Sequence, residues 1–179
     1  GLRDRREAHP LARVLPLLDD VLGQAVRDCG AVMALADTDD LTGLMNRRGW
    51  DRVVADAQQR VDAYADPVAV AVIDLDGLKQ LNDSQGHAAG DDLLRRTGEA
   101  LRAAAGPQDR VARYGGDEFT VLTDDVGVAD LPAHFARFTR ALADHGVSAS
   151  LGYSHTGPGD LTVAEAFRIA DRHMYDDKR

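Results

Sequence analysis

A chain of 179 residues, 44% hydrophobic and 28% charged, can bury a core within one globular domain and still supply an additional helix. The formal net charge of −9 argues against a nucleic-acid partner, because proteins of that class bind the phosphate backbone through clustered Lys and Arg. The single cysteine, Cys29, excludes an intrachain disulfide and a Cys-rich zinc site and favours the reducing cytoplasm, and no apolar run approaches the roughly 18 residues of a membrane span.

Residues 11–36 show a helical pattern after a charged stretch, residues 1–9, that we expect to be frayed. Apolar residues recur at alternating spacings of three and four, which is typical of a coiled-coil seam. The seam comprises Leu15, Leu18, Leu22, Ala25, Cys29, Val32 and Ala36. Pro16, Gly23 and Gly30 weaken this helix, each glycine by roughly 1 kcal/mol relative to alanine. The pattern predicts either a dimerising, signal-transmitting helix or one that packs on its own domain.

A polar connector with a turn at Gly43 precedes the next predicted helix. Asn46 is a good N-cap for a helix from about Arg47 to Tyr64. The apolar face of that helix comprises Trp50, Val53, Val54, Ala57 and Val61. Arg47 and Arg48 are candidates to reach a phosphate or a neighbouring acid, although such arginines are more often solvated.

Residues 68–73 form a continuous apolar run rich in β-branched side chains, which predicts a central strand buried on both faces. The run ends in Asp74-Leu75-Asp76. Carboxylates at the end of a buried strand are costly unless neutralised, and alternation places Asp74 and Asp76 on one face. A hard cation such as Mg²⁺ is therefore a suitable partner. The alternative is an aspartate pair that begins a turn, with Asp76 as an N-cap.

Two polar stretches follow the predicted strand. Gly77, Leu78 and Lys79 open a short helix, whose free backbone amides and Lys79 ammonium could hold a triphosphate. Residues 82–91 are then predicted to form a polar loop enclosed by two glycines. The apolar positions of the helix after that loop are Leu93, Leu94, Thr97, Leu101 and Ala104.

Asn82 and Asp91, at the ends of the predicted loop, are residue types that select guanine. A carboxylate accepts hydrogen bonds from the ring N1–H and the exocyclic amine of guanine, for which adenine offers no matching donors. Asp91 could equally be a plain helix cap, since aspartate in a first turn interacts favourably with the helix dipole. His87 lies in the same stretch, and a histidine that stands alone is more often structural than a ligand.

The most distinctive stretch is the hairpin around Gly115 and Gly116. The flanking predicted strands are residues 109–112 and 119–122. Two glycines between such strands are a strong hairpin signal, and we expect both to take positive φ values. Because they lack side chains, they let phosphates approach the backbone. Asp117 and Glu118 follow directly and favour a metal or a phosphate-bearing substrate, whereas the alternative is an ordinary hairpin with a solvated acidic pair.

Five blocks of the sequence, in this order, resemble the GGDEF family of diguanylate cyclases. The blocks are DDLTGLMNRR, DLDGLKQLNDSQGHAAGD, DRVARYGGDEF, SASLGYS and ADRHMYDDK. The resemblance predicts an N-terminal linker helix over residues 1–36 and a GGDEF domain over residues 37–179. It implies an α/β (α+β) fold, in which helices flank a central, mainly antiparallel sheet similar to the palm of nucleotide cyclases and polymerases. Residues 147–153 then add a strand.

Carried over residue by residue, the resemblance implies a metal site, a guanine site and a phosphate site. Asp74, the carbonyl of Leu75 and Asp117 would bind Mg²⁺, or Mn²⁺ in its place. Asp117 is also the implied general base, and Glu118 is a further acid of the metal site. The implied guanine-binding residues are Asn82, His87 and Asp91. The implied phosphate-binding residues are Leu78, Lys79, Gly115, Gly116 and Lys178.

The reaction implied by the resemblance joins two GTP molecules into cyclic di-GMP and releases two pyrophosphates. Each domain holds one GTP, so two chains must face each other, and a monomer should be nearly inactive. The helix before Ala36 would set how often the two sites meet. Because the chain begins at Gly1 rather than Met, we expect a sensor region upstream of it.

Departures from the family pattern carry their own expectations. The family's inhibitory product site is an Arg-x-x-Asp motif, but Gly106 stands at the arginine position before Asp109, so we expect weak or absent product inhibition there. Leu78, preceded by Gly77, replaces an aromatic residue, and we expect its role to survive. Two alternatives stay open. One is a catalytically silent module that binds GTP or cyclic di-GMP and regulates a neighbouring domain; the other is a cyclase for mixed dinucleotides, against which Asp91 argues.

Overall fold

The structure is a computed structural model that describes residues 11–157 and 161–178. Within these ranges the helices are α1 (Leu11–Ala36), α2 (Arg47–Tyr64), α3 (Leu78–Gln85), α4 (His87–Ala104), α5 (Leu131–Asp144) and α6 (Val163–Asp177). The strands are β1 (Val68–Leu75), β2 (Asp109–Arg113), β3 (Glu118–Asp124) and β4 (Ala149–His155). Residues 1–9, predicted to be frayed, lie outside the described ranges.

The described residues divide into two compact units, one formed by α1 and the other beginning at Asp37. Helix α1 is continuous although Pro16, Gly23 and Gly30 lie within it. Apolar side chains of its predicted seam are exposed to solvent, namely Leu18, Leu22 and Val32. The side chains of Leu15 and Cys29, which complete the pattern, lie outside the described part. None of the described helices combines the length and apolarity needed to cross a membrane.

The strands form one antiparallel sheet in the order β2-β3-β1-β4. Strand β1 lies inside this sheet, and all of its residues except Asp74 are fully buried. Its odd-numbered residues from Ala69 to Leu75 pack in a cluster with α4 and α5, whereas Val68 and Val70 pack with α2 and α6. The helix-flanked antiparallel sheet predicted from the sequence is therefore confirmed, as is burial of β1 on both faces.

Helix α2 begins as predicted. The side-chain carbonyl oxygen of Asn46 accepts a hydrogen bond from the Gly49 amide at 3.0 Å, which satisfies one of the free donors of the first turn. Trp50 and Ala57 are buried against the sheet and α6. Gly43, in the connector before the helix, has a φ of 67°, in keeping with the predicted turn.

Residues 82–91 do not form the predicted polar loop. Helix α3 continues to Gln85 and α4 begins at His87, so only Gly86 separates the two helices. Gly86 has φ 87° and ψ 165°, a combination essentially restricted to glycine. The polar composition of the stretch reflects solvent exposure of both helix ends, and it is not the mark of irregular structure. Asp91 lies beyond the first turn of α4 and therefore is not its cap.

Gly152 allows α6 to lie directly on β4. A Cβ atom at this position would lie 2.0 Å from the Met174 amide nitrogen and 2.2 Å from the Ala170 carbonyl oxygen. Because both are backbone atoms of α6, we expect Gly152→Ala to destabilise the domain by about 3 kcal/mol. Urea denaturation measures this loss. Gly116→Ala is the control, since nothing lies within 4 Å of a Cβ there, and equal stability of the two variants would contradict the packing argument.

Candidate active site

Acidic side chains converge where β1 ends and the β2–β3 hairpin turns. Asp74 and Glu118 are direct partners in the register of β1 and β3, so their side chains project from the same face of the sheet. The Leu75 amide donates a hydrogen bond to the Asp117 carbonyl at 3.0 Å, which ties the hairpin loop to the end of β1. The structure thus brings together the sequence-predicted metal residues Asp74, Leu75, Asp117 and Glu118.

The electrostatics of this group indicate a place for a cation. Burial raises the pKa of Glu118, the negative charges of Asp117, Asp74 and Asp171 raise it further, and Arg47 opposes them. Carboxylates held this close repel each other unless a positive charge lies between them. Within the described part of the chain, no three His, Cys, Asp or Glu side chains form a complete metal site. Two carboxylates and a backbone carbonyl nevertheless fit Mg²⁺, which usually completes its shell with water and substrate phosphates.

Lys178 faces the acids from the end of α6. It forms an ion pair with Asp74, and the hydrogen bond to that carboxylate raises the pKa of Lys178. Desolvation opposes this rise, while the charges of Asp74, Asp76 and Asp117 add to it. Asp74 and Lys178 border a cleft of about 530 Å³. The residues that line the cleft are Asp74, Glu118, Asp171, Arg172, Met174, Tyr175, Asp176 and Lys178.

The chain leaves β1 through Gly77, whose φ of 75° lies in the left-handed region, and enters α3 at Leu78. No side chain caps α3, so its first-turn amides remain suited to an anion, and Lys79 is exposed beside them. Asp76 does not cap this helix. Its carboxylate accepts a hydrogen bond from the Ser148 hydroxyl at 2.8 Å, which attaches the end of β1 to the β4 side of the sheet.

The hairpin differs from the tight turn that positive φ values at both glycines would give. Its loop comprises residues 114–117, and the Tyr114 and Gly115 amides donate to the Glu118 carbonyl at 2.9 and 3.1 Å. Neither Gly115 nor Gly116 has the predicted positive φ, because a four-residue loop reverses the chain without a primed turn. Their missing side chains still matter. A Cβ at Gly115 would lie 2.8 Å from the Glu118 carboxylate, while the space around Gly116 is open to a ligand.

Arg113 holds the hairpin loop from its base. Its guanidinium donates to the Gly116 carbonyl at 2.8 Å and to the Asp39 carboxylate at 3.3 Å. The same carboxylate accepts hydrogen bonds from the amide and hydroxyl of Thr42 at 2.9 and 2.7 Å. Burial raises the pKa of Asp39, but the Thr42 hydrogen bonds and the Arg113 charge lower it by more. The pKa of Asp39 is therefore below its usual value. The polar connector before α2 therefore supports the loop that carries Asp117, a role that its sequence did not suggest to us.

The predicted guanine-binding residues lie on α3 and α4, which pack against each other. Asn82 lies directly over Gly90, since a Cβ there would be 2.0 Å from its side-chain carbonyl oxygen. That oxygen is buried, and no described residue donates a hydrogen bond to it. A buried acceptor without a donor is costly, and a purine N–H could satisfy it. Asp91 follows Gly90 and is partly buried, whereas His87 is exposed at the start of α4.

Sequence reasoning missed five residues of α6 that line the cleft, namely Asp171, Arg172, Met174, Tyr175 and Asp176. The available signal was helical spacing, because Asp171, Met174 and Lys178 recur three and four residues apart. The Arg47 guanidinium lies 4.8 Å from the centre of the Tyr114 ring. Its positive charge opposes the rise in the pKa of Glu118.

Asp109 has no exposed side-chain surface in the structure. Its carboxylate accepts hydrogen bonds from the Gly106 amide at 2.7 Å, the Thr123 hydroxyl at 2.8 Å and the Arg137 guanidinium at 3.0 Å, and it lies 3.0 Å from His134 Nε2. These internal partners occupy the carboxylate that the family pattern assigns to product. They support the prediction of weak product inhibition at this position.

Comparison with known proteins connects this architecture to one family. Residues 36–179 match the model of the family described as diguanylate cyclase, GGDEF domain. An uncharacterised Streptomyces griseus protein is 40% identical over 155 residues, which are 80% of this chain and 63% of that protein. The response regulator PleD of Caulobacter vibrioides is 35% identical over 159 residues, covering 82% of this chain and 35% of PleD. The chain therefore spans less than two thirds of either relative.

Among solved structures, the fold is similar to that of the diguanylate cyclase SiaD in complex with its activator SiaC from Pseudomonas aeruginosa. The superposition has a TM-score of 0.79 at 28% sequence identity and covers 94% of this chain and 69% of that one. The match of the family model extends over the sheet, the hairpin and the acidic cleft described above. The chain belongs to the family of diguanylate cyclase GGDEF domains.

Proposed function

We propose that this chain is a diguanylate cyclase, which condenses two GTP molecules into cyclic di-GMP with release of two pyrophosphates. The observation that carries the proposal is the convergence of Asp74 with the Asp117–Glu118 hairpin at one end of the sheet. Helix α3, which comes next after the same strand, has an uncapped start and carries the unsatisfied Asn82 acceptor. One surface thereby offers groups suited to a cation, a phosphate chain and a purine.

Asp74, the Leu75 carbonyl and Asp117 are the proposed ligands of Mg²⁺, which Mn²⁺ can replace. When bound, the cation stabilises negative charge on the reacting phosphate and lowers the pKa of the attacking 3′-hydroxyl. Asp117 is proposed to accept the proton of that hydroxyl. Glu118 lies beside Asp74 and keeps the cleft negative, which favours a divalent cation over a monovalent one.

The remaining proposed residues hold the substrate. Asn82, Asp91 and His87 on α3 and α4 are proposed to contact the base, and the Asn82 side-chain oxygen is proposed to accept a hydrogen bond from a guanine N–H. The backbone of Leu78 and Lys79 at the start of α3, the open backbone at Gly115 and Gly116, and the Lys178 ammonium surround the phosphates. Rate enhancement in such a site comes mainly from positioning and from electrostatic stabilisation of the transition state.

We propose that the active unit is a homodimer, because the product joins two GTP molecules and each cleft has residues for one. The exposed apolar side chains of α1 support this proposal, since they offer a seam for a second helix. Activity per chain should therefore rise with protein concentration over the range in which sedimentation velocity detects dimer. Equal activity per chain in isolated monomer and dimer fractions would refute the dimeric mechanism. Dimers that bind GTP without forming product would instead indicate a silent regulatory module.

A further inference from the structure

We propose that Lys178 is an internal counter-ion that occupies the Asp74 carboxylate until metal and nucleotide arrive together. The inference rests on the proposed function, because that function assigns Asp74 to the metal. It adds that this lysine opposes metal binding in the nucleotide-free protein and assists nucleotide binding afterwards. Lys178 is thus a positioning residue whose effects on the two ligands have opposite signs.

The first support is the contact itself. The Lys178 ammonium pairs with Asp74, and this carboxylate is only 15% exposed, whereas the Lys178 side chain is 41% exposed. The carboxylate is therefore fixed in the wall of the cleft, while the lysine can move away into solvent. Its backbone stays in place meanwhile, because the Lys178 amide donates to the Met174 carbonyl at 3.1 Å at the end of α6.

The second support is the charge around the pair. Glu118 lies opposite Asp74 in the sheet register, and Asp76 and Asp117 act electrostatically on Lys178. In the absence of another cation, the Lys178 ammonium, which pairs with Asp74, neutralises part of this negative charge from the α6 side. A metal ion that binds Asp74 alone must displace the ammonium, which then loses its carboxylate partner. The displacement weakens metal binding to the free protein.

A triphosphate changes this balance. Once its phosphates enter the cleft, they offer the displaced Lys178 ammonium a new anionic partner. Metal binding then no longer leaves the ammonium unpaired. Metal and nucleotide then bind with positive coupling, and by thermodynamic linkage each increases the affinity of the other by the same factor. The free protein is thereby protected from loading a metal ion without substrate.

Two simpler roles for Lys178 make different predictions. A lysine that only binds phosphate would leave the metal affinity of the nucleotide-free protein unchanged when it is replaced. If Lys178 acted only through the overall electrostatic potential of the cleft, any other cationic side chain there would have the same effect on metal affinity. Arg172 supplies the comparison, because it lines the same cleft, and no ion pair between it and Asp74 is found in the described part of the chain.

The test is a titration of nucleotide-free protein with Mn²⁺ alone, followed by the electron paramagnetic resonance signal of the free ion. We expect Lys178→Gln to bind Mn²⁺ at least about threefold more tightly than the wild type, since a competing cation in contact with the ligand is removed. Arg172→Gln should change the affinity by less than about twofold, because a more distant exposed charge is largely screened. Asp74→Asn should abolish the site.

A second titration uses 3′-deoxy-GTP, which cannot react, in the presence of Mn²⁺. Here Lys178→Gln should bind about three- to tenfold more weakly than the wild type, the opposite direction from Mn²⁺ alone. Unchanged Mn²⁺ affinity, equal gains in the two glutamine variants, or no measurable Mn²⁺ binding in Lys178→Gln would each overturn the proposal. If the wild type still converts GTP to cyclic di-GMP, such a result rejects the role of Lys178 and leaves the proposed function intact.

Discussion

Replacement of Asp117 by asparagine is expected to lower kcat for GTP turnover by about 10³-fold or more. The substitution keeps the size of the side chain but removes both a proposed metal ligand and the proposed general base, and a positioned base alone contributes roughly 10²–10⁴-fold. Because the Asp117 carbonyl, and not its carboxylate, accepts the hydrogen bond from Leu75, the hairpin should keep its conformation. Steady-state pyrophosphate release at saturating GTP and Mg²⁺ measures the loss.

Asp125→Asn is the matched control for that variant. Asp125 follows β3 at the end remote from the hairpin, is exposed, and has a φ of 56° that asparagine tolerates well. Its kcat should stay within about twofold of the wild type, as expected of surface substitutions away from special features. Full activity of Asp117→Asn, with circular dichroism and melting temperature unchanged in both variants, would remove Asp117 from the mechanism.

The second large effect is expected from Gly90→Ala, a change of one methyl group. A Cβ at this position would lie 2.0 Å from the side-chain oxygen of Asn82, so the amide must leave its place over Gly90. The obstacle is the end of a flexible side chain, and stability should therefore fall by only about 1 kcal/mol. Catalytic efficiency should fall much further, by roughly 10²-fold in kcat/KM for GTP, because a site that recognises its substrate by buried hydrogen bonds loses them when the partner moves.

The double variant Gly90→Ala with Asn82→Ala tests this explanation. Removing the amide eliminates the steric conflict, so stability should return toward that of Asn82→Ala alone, while GTP turnover stays low. The two substitutions should thus be non-additive in both stability and kcat/KM, as expected of residues in contact. A single Gly90→Ala variant with wild-type kcat/KM would show that the position of Asn82 over Gly90 does not matter for the base.

The elements that the sequence predicted well are those governed by local chemistry or by burial. Strand β1 is a continuous apolar run because both of its faces are covered by helices. Helix α2 starts at a side-chain cap that is visible as Asn46. No bounds were predicted for helices α5 and α6, although Thr162 and Glu165 at the start of α6 form a capping box whose spacing is readable in the sequence.

The features that the sequence did not reveal depend on contacts between distant residues. Arg113 reaches Asp39 across 74 positions, and Lys178 reaches Asp74 across 104. Neither pair has a local pattern, since the first arises only when the connector before α2 packs on the sheet and the second only when α6 does. The conformation of the hairpin glycines was mispredicted for a related reason, because loop length, set by the pairing of β2 with β3, decides whether a positive φ is needed.

We propose that the acidic cleft between β1, the hairpin and α6 makes cyclic di-GMP. Mass spectrometry of the products formed from GTP and Mg²⁺ tests it most directly, with dimeric wild-type protein beside Asp117→Asn. We expect the wild type to form one cyclic di-GMP and two pyrophosphates for every two GTP consumed, and the variant to form almost none. Unconsumed GTP, or GDP and phosphate in place of cyclic di-GMP, would contradict it.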